Sequence, residues 1–359
     1  MGSVLHRIGG ERSIRRPAPT PPRRPRNRDR TLAAGTRIPA NCPRSPTRSF
    51  PMTTRSLPLE SNLPLRRLGR TDAIVSALGL GGAGLGNVHG DVSDEQAIAT
   101  VHRAIELGIT LIDTAPLYLE SERRLGLALE GGLRERVFLS TKTGRYPDRA
   151  GEYSADETYW SVERSLKRLR TDRIDLLLIH DCTAAQFDRC LAPDGALAAL
   201  QRLRDQGVIR FIGLGQRDHD LHLRAIHSGE FDVILTFADL NPIRQTARHR
   251  VIPAAARCDA GVMNGSPLYL GLLAGDPAVT DRGYPADDVE RARRYWQWCR
   301  ATGHDPIHVA MQFSLREPGV DVTLSGAKSP EEIAGCVEAA LRPLPVATWR
   351  ALYEVLGVV

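Results

Sequence analysis

Residues 111–118 read Leu-Ile-Asp-Thr-Ala-Pro-Leu-Tyr, residues 137–142 read Val-Phe-Leu-Ser-Thr-Lys, and residues 174–180 read Ile-Asp-Leu-Leu-Leu-Ile-His. Each stretch contains a short apolar run with a titratable side chain at its end or just beyond it. Asp, Lys and His are poor strand residues and are costly to bury without a partner. Several of them at successive strand ends predict one shared site where the strands terminate. The side chains concerned are Asp113, Tyr118, Lys142 and His180.

Strand-like and helix-like segments alternate along the chain after residue 65. Apolar runs predict strands at 74–80, 109–113, 137–142, 174–180, 208–214, 232–235, 261–264 and 320–324. Helical periodicity predicts helices at 93–107, 121–129, 156–169, 195–206, 221–228, 250–258, 289–300, 307–315, 330–341 and 346–355. Ser93 and Gln96 predict a capping box at the start of the first helix. About eight such units in about 290 residues favour an α/β fold, a (β/α)8 TIM barrel with its active site at the strand ends, over an open doubly wound sheet.

Charge is distributed unevenly along the 359 residues, whose formal net charge is +6. Residues 1–51 carry twelve Arg, no Lys and two acids, whereas the remainder has 36 basic and 40 acidic residues, a net charge of −4. The leader is also rich in Pro, so we expect residues 1–51 to be disordered and, most simply, a non-native extension with translation starting at Met52. The barrel is then expected over residues 65–359. Its mildly acidic charge gives no reason to expect a nucleic-acid partner.

The six cysteines form no C-x-x-C pair and no metal-ligand spacing with histidine. Isolated thiols are typical of a reducing compartment, so we expect a cytoplasmic protein with no metal site. No apolar run is long enough for a transmembrane helix, so we expect no membrane partner.

The glycines of Gly79-Leu80-Gly81-Gly82-Ala83-Gly84 match the G-x-G-x-x-G pattern of dinucleotide-binding folds. In those folds the helix opens directly after the glycines, so that its N-terminus faces the pyrophosphate. The first helix cap here is Ser93, nine residues beyond Gly84. We therefore interpret residues 79–84 as a loop at the barrel mouth that lets the backbone approach a ligand.

The four strand-end residues together suit proton transfer coupled to hydride transfer. A tyrosine is a poor acid–base catalyst at its ordinary pKa, and a nearby ammonium such as that of Lys142 lowers this pKa. Asp113 would keep the ammonium charged, and His180 would orient a substrate oxygen. Each residue alone has a structural explanation, such as a turn for Asp113 or a half-buried aromatic for Tyr118. The combination favours chemistry at a carbonyl or alcohol oxygen.

From about residue 65 to residue 355 the chain resembles the aldo-keto reductase family. The matching motifs are Ile112-Asp113-Thr114-Ala115 with Tyr118, Ser140-Thr141-Lys142, Leu178-Ile179-His180, the segment 207–213, Ser266-Pro267-Leu268 with Gly271-Leu272-Leu273, and Ser325-Gly326-Ala327-Lys328. The resemblance implies a (β/α)8 barrel, an extended nicotinamide cofactor without a Rossmann domain, and a catalytic tetrad. By resemblance, the tetrad is Asp113, Tyr118, Lys142 and His180.

The resemblance also implies where the cofactor, NAD or NADP, would bind. The implied cofactor-binding residues are Gly82, Gln216, Ser266, Leu268, Gly271, Gly326, Ala327, Lys328 and Glu332. Gln216 stands where many members have Ser-Asn, and Glu332 where many have an Arg that grips the adenosine 2′-phosphate. A carboxylate suits a ribose hydroxyl, which favours NAD, although Lys328 can still pair with a phosphate.

Within the family, His180-Asp181 and the glycine-rich residues 79–86 are most similar to the aldose 1-dehydrogenase branch, which includes L-galactose, L-fucose and pyridoxal dehydrogenases. This implies oxidation of a hemiacetal carbon to a lactone, with a small-molecule sugar or aldehyde as partner. A pyridoxal or general aldehyde reductase or dehydrogenase and a non-catalytic nicotinamide-binding regulatory subunit are the alternatives. Residues 236–241 depart from the family pattern and leave the substrate contacts open, and the oligomeric state is not predicted.

Overall fold

A short β-hairpin opens the part of the chain that the computed structural model describes, residues 62–357. Its strands are β1 (Leu65–Arg67) and β2 (Ile74–Ser76), which pair antiparallel. The single strand predicted at 74–80 is therefore wrong, because the chain leaves the hairpin after β2. Ser76 holds this break: its backbone N donates to Thr110 Oγ1 at 2.8 Å and its hydroxyl donates to Leu78 O at 2.7 Å.

Eight parallel strands then form a closed barrel, which confirms the predicted (β/α)8 fold. Each strand pairs with the next in the chain, and the last pairs with the first. The barrel strands are β3 (Leu78–Gly81), β4 (Leu111–Asp113), β5 (Phe138–Thr143), β6 (Ile174–His180), β7 (Ile209–Gly215), β8 (Val233–Phe237), β9 (Gly261–Gly265) and β10 (Val322–Ser325). The predicted titratable residues therefore lie at the carboxyl ends of three adjacent strands, at one mouth of the barrel.

Helices surround the barrel at the predicted places. They are α1 (Asp94–Glu106), α2 (Ser121–Ala128), α3 (Ala155–Leu169), α4 (Ala184–Leu191), α5 (Ala196–Asp205), α6 (His219–Ser228), α7 (Thr246–His249), α8 (Val251–Arg257), α9 (Ala286–Thr302), α10 (Pro306–Leu315), α11 (Pro330–Leu341) and α12 (Val346–Leu356). The sequence interpretation missed α7 and α4, the latter although Thr183 and Gln186 form a full capping box at its start. At α1 the predicted box is only half present: Ser93 accepts from Gln96 N, but the Gln96 amide donates to Lys328 O.

Apolar side chains fill the barrel interior, and the hairpin closes its amino-terminal end. Leu68, Ala73 and Val75 of the hairpin region pack in one buried cluster with inward-facing strand residues. Burial of each large apolar side chain contributes about 1.5–3 kcal/mol, so this cluster fixes the frame on which the opposite mouth is built.

The remaining predictions concern a membrane span, a metal site and the leader, and they are answered only for residues 62–357. Within that range no helix is both long and apolar enough to cross a membrane, and no group of three His, Cys, Asp or Glu side chains could hold a metal ion. The leader 1–51 and Met52 lie outside the described residues. The cytoplasmic location stays a prediction.

Candidate active site

The four residues predicted from the strand ends meet at the carboxyl mouth of the barrel. Lys142 Nζ donates to Asp113 Oδ2 at 2.5 Å and to Thr114 O at 2.7 Å. The same ammonium lies 4.9 Å from the centroid of the Tyr118 ring. The Tyr118 and His180 rings meet edge to face, with centroids 6.0 Å apart. The structure thus brings these four side chains together at one mouth of the barrel, and their shared role stays a prediction.

Asp113 is held through both oxygens of its carboxylate. Its second oxygen, Oδ1, accepts a hydrogen bond from Ser140 Oγ at 2.8 Å, and Asp113 is only 2% exposed. The sequence interpretation did not single out Ser140 for a role. The signal was present, since Ser140 and Lys142 are two apart in a strand and therefore point to the same face.

Lys142 is almost completely buried, yet it remains charged. Burial is the largest single effect and lowers the pKa of Lys142, but Asp113 and Tyr118 together outweigh it and raise this pKa above its ordinary value. The pair therefore places a fixed ammonium next to the Tyr118 ring at neutral pH.

The pKa of Tyr118 corrects one prediction. Burial raises this pKa above 10.0, the Lys142 ammonium opposes the rise, and the Asp113 carboxylate adds to it. Lys142 therefore lowers the pKa of Tyr118, as predicted, but the effect of burial is larger. The residue as a whole is half-buried and at neutral pH is a phenol. In this state it can donate a proton to a carbonyl oxygen.

His180 is a neutral imidazole in this site. Burial, the Lys142 ammonium and the Arg145 guanidinium all lower its pKa, well below the ordinary value. Its Nδ1 is buried and has no hydrogen-bond partner among residues 62–357. A neutral ring can hydrogen-bond a substrate oxygen through its other nitrogen, Nε2, without adding charge.

The glycine-rich loop after β3 packs directly against this site. A Cβ atom on Gly86 would lie 1.8 Å from the backbone oxygen of Tyr118, and one on Gly82 would lie 2.4 Å from Ser121 Oγ. Glycine is required here by the protein's own backbone. A single 3-10 turn spans Gly84–Gly86 and α1 begins only at Asp94, so the G-x-G-x-x-G pattern does not open an α-helix.

A buried carboxylate behind the site was also missed by the sequence interpretation. Glu122, in the first turn of α2, is fully buried and accepts a hydrogen bond from Thr141 Oγ1 at 2.9 Å. Burial raises the pKa of Glu122. The contact ties α2, which follows the Tyr118 turn, to the strand that carries Lys142.

The segments predicted to bind the cofactor lie after β9 and β10, which are neighbours in the barrel. The first segment contains Ser266, Leu268 and Gly271, and the second contains Gly326, Ala327, Lys328 and Glu332. Added Cβ atoms on Gly271 and Gly326 would meet only open space. Glu332 Oε2 accepts from the backbone N of Lys328 at 3.0 Å, which holds the second segment against the start of α11.

Gln216 uses its side chain to connect the ends of β6 and β7. Its Nε2 donates to Cys182 O at 2.5 Å, and its Oε1 accepts from Arg217 N at 2.7 Å. Most of its hydrogen-bonding capacity is therefore engaged within the protein. Nε2 also donates to Cys182 Sγ at 4.0 Å, and the contact of Gln216 with a nicotinamide carboxamide stays a prediction.

Comparison with known proteins gives a consistent result. Residues 77–356 match the family model described as the Aldo/keto reductase family. The chain is 31% identical over 292 residues to an L-galactose dehydrogenase of Arabidopsis thaliana, covering 78% of this chain and 88% of that protein. It is 31% identical over 312 residues to a D-threo-aldose 1-dehydrogenase of a Pseudomonas species, covering 78% and 94%. The solved structure of aldo-keto reductase AKR11C1 from Bacillus halodurans, in its holo form, superposes with a TM-score of 0.71 at 23% identity and covers 83% of this chain and 98% of that chain, which shows the shared fold.

Proposed function

Because this chain belongs to the aldo/keto reductase family, we propose that it oxidises the hemiacetal carbon of an aldose with a nicotinamide cofactor. The observation that carries the proposal is the buried Asp113–Lys142 pair beside Tyr118, with neutral His180 packed edge to face against the same ring. The aldose dehydrogenases among its relatives support a sugar as substrate. Reduction of an aldehyde is the same chemistry in reverse.

The segments after β9 and β10 fit a nicotinamide dinucleotide. Open space beside Gly271 and Gly326 lets a ligand approach the backbone there. Ser266 and the ammonium of Lys328 would hold its phosphates, and Glu332 would face the adenosine ribose. When bound, the nicotinamide ring supplies the hydride acceptor or donor. Since a carboxylate repels a 2′-phosphate, we propose NAD as the preferred cofactor.

The proton steps belong to the tetrad. In the oxidative direction Tyr118 takes the proton of the anomeric hydroxyl, and His180 hydrogen-bonds the same oxygen. The Lys142 ammonium stabilises the phenolate, and Asp113 keeps the ammonium charged and in place. Because the pKa of Tyr118 is raised, oxidation should speed up with rising pH, whereas reduction should be favoured near neutrality.

The test is a rate measurement on aldoses, pyridoxal and simple aldehydes with NAD and with NADP, followed by the near-ultraviolet absorbance of the reduced nicotinamide. We expect turnover of at least one aldose, faster with NAD. Tyr118→Phe should lower kcat by about 100-fold or more, since it removes the acid–base group, and should leave the Kd of the cofactor nearly unchanged. Tight cofactor binding without turnover of any substrate would instead indicate a nicotinamide-binding regulatory protein.

A further inference from the structure

We propose that Asp181 is a substrate-binding residue whose carboxylate accepts a hydrogen bond from a hydroxyl on the carbon next to the reacting carbon. It would thereby select hydroxylated aldehydes and aldoses over their deoxy analogues. This inference rests on the proposed function and adds a specificity residue to it. The tetrad alone recognises only the reacting oxygen.

Position is the first argument. Asp181 follows His180 directly at the end of β6, and its backbone N donates to Gly215 O at 2.9 Å, which extends the pairing of β6 with β7. Its Oδ2 lies 3.8 Å from His180 Nε2, and its side chain is 27% exposed. A substrate whose oxygen contacts His180 therefore brings its next carbon within reach of this carboxylate.

The backbone of Asp181 is the second argument. Its φ of 43° lies in the left-handed region, which costs a non-glycine residue about 1 kcal/mol or more. Three hydrogen bonds fix this conformation from one side. The Tyr153 hydroxyl donates to His180 O at 2.8 Å and to Asp181 O at 3.3 Å, and Arg145 Nη1 donates to Asp181 O at 3.5 Å. The surrounding residues thus determine where the Asp181 side chain leaves the main chain.

The third argument is that the carboxylate of Asp181 lacks hydrogen-bond donors. Among residues 62–357 no group donates a hydrogen bond to it, and Arg145 bonds its carbonyl rather than its carboxylate. Asp239, elsewhere on the same mouth, shows the contrast: its two oxygens are engaged by Arg217 Nε at 3.3 Å and His219 Nε2 at 3.1 Å. Burial raises the pKa of Asp181 despite the nearby Arg145 and Lys142, as expected for a carboxylate that lacks donors.

A hydroxyl is the group that this environment lacks. Its O–H donates to the carboxylate, and a charge-assisted bond of this kind discriminates by about 10- to 100-fold when the partner is missing. An analogue without the hydroxyl leaves the half-buried carboxylate unpaired. The preference should appear in kcat/KM, because the contact is made both when the substrate binds and when it reacts.

The experiment compares Asp181→Gly with wild type on an aldose and its 2-deoxy counterpart. Glycine adopts the left-handed conformation without strain, so this variant removes the side chain and keeps the backbone. Asp259→Gly is the matched control, since Asp259 also has a positive φ, of 52°, but lies before β9 at the opposite end of the barrel. Asp181→Asn, which also tolerates this conformation, removes only the charge and gives a second variant.

We expect wild type and Asp259→Gly to prefer the 2-hydroxy substrate by about 10- to 100-fold, Asp181→Gly to show almost no preference, and Asp181→Asn to fall between them. For Asp181→Gly the loss of kcat/KM should occur with the 2-hydroxy substrate and not with the 2-deoxy substrate. Equal losses on both substrates, or an unchanged preference, would overturn this inference while leaving the proposed function intact. If wild type turns over no aldose or aldehyde at all, both fail together.

Discussion

Neutralising one member of the Asp113–Lys142 pair should destabilise the fold more than neutralising both. The two side chains are 3% and 1% exposed and their charged atoms are 2.5 Å apart. Asp113→Asn leaves the Lys142 ammonium buried without its counter-charge. Lys142→Met likewise leaves the Asp113 carboxylate buried without its counter-charge. Removing one partner of a buried pair costs about 3–5 kcal/mol, whereas replacing both partners is often nearly neutral. The double variant should therefore be more stable than either single variant.

Urea unfolding of the four proteins measures this coupling. We expect each single variant to lower the free energy of unfolding by about 3–5 kcal/mol and the double variant to lower it by less than either, so that the coupling free energy exceeds the loss in one single variant. The exposed Arg342–Glu338 pair of α11, with side chains 66% and 65% exposed, is the matched control and should show little coupling. Additive losses at Asp113 and Lys142 would refute the reasoning.

The dependence on pH gives an independent check. In wild type the pKa of Lys142 is raised above 10.5, so the stabilisation from the pair is complete below that pH and is lost as pH rises through the folded-state pKa. In Asp113→Asn burial, the largest single effect, is opposed only by Tyr118, so we expect the pKa of Lys142 to fall below 10.5. This variant should therefore gain stability as pH rises towards that value, and the difference from wild type should narrow. A difference that is constant with pH would contradict the assigned charge states.

Two further substitutions test the surroundings of the site. The raised pKa of Glu122 means that its ionisation weakens the fold as pH rises above about 4.5. Glu122→Gln should therefore be at least as stable as wild type at pH 7, and the stabilities of the two proteins should converge in acid. Unfolding at several pH values measures this difference. A large loss of stability at neutral pH would show instead that the carboxylate is needed. Gly86→Ala should lower kcat by about 100-fold because its Cβ would displace the Tyr118 turn, whereas Gly335→Ala, where a Cβ meets open space, should leave kcat unchanged.

The tetrad was predictable because its signals are local. Asp113, Lys142 and His180 each end an apolar run, and adjacent parallel strands bring their carboxyl ends together. The alternation of strands and helices then determined the barrel. Neither step needs contacts between distant parts of the chain, so both can be read from neighbouring residues.

Apart from α4 and Ser140, whose signals were local and were overlooked, the errors arose where distant contacts decide the outcome. Residues 74–80 read as one apolar run, and the break after β2 depends on the bond between Ser76 and Thr110. The pKa of Tyr118 depends on how deeply the fold buries it, which the presence of Lys142 in the sequence does not reveal. The Gln96 side chain likewise turns to Lys328 because α1 and α11 are neighbours in the barrel.

The hairpin under the barrel has a kinetic consequence. Because Leu68, Ala73 and Val75 pack into the lower end of the barrel, residues 62–357 leave the carboxyl mouth as the approach to the tetrad. Two reactants that both enter through this mouth cannot bind and dissociate independently. The one that binds deeper must bind first and dissociate last. Initial-rate patterns should therefore show a compulsory order of addition, with release of the deeper ligand able to limit turnover.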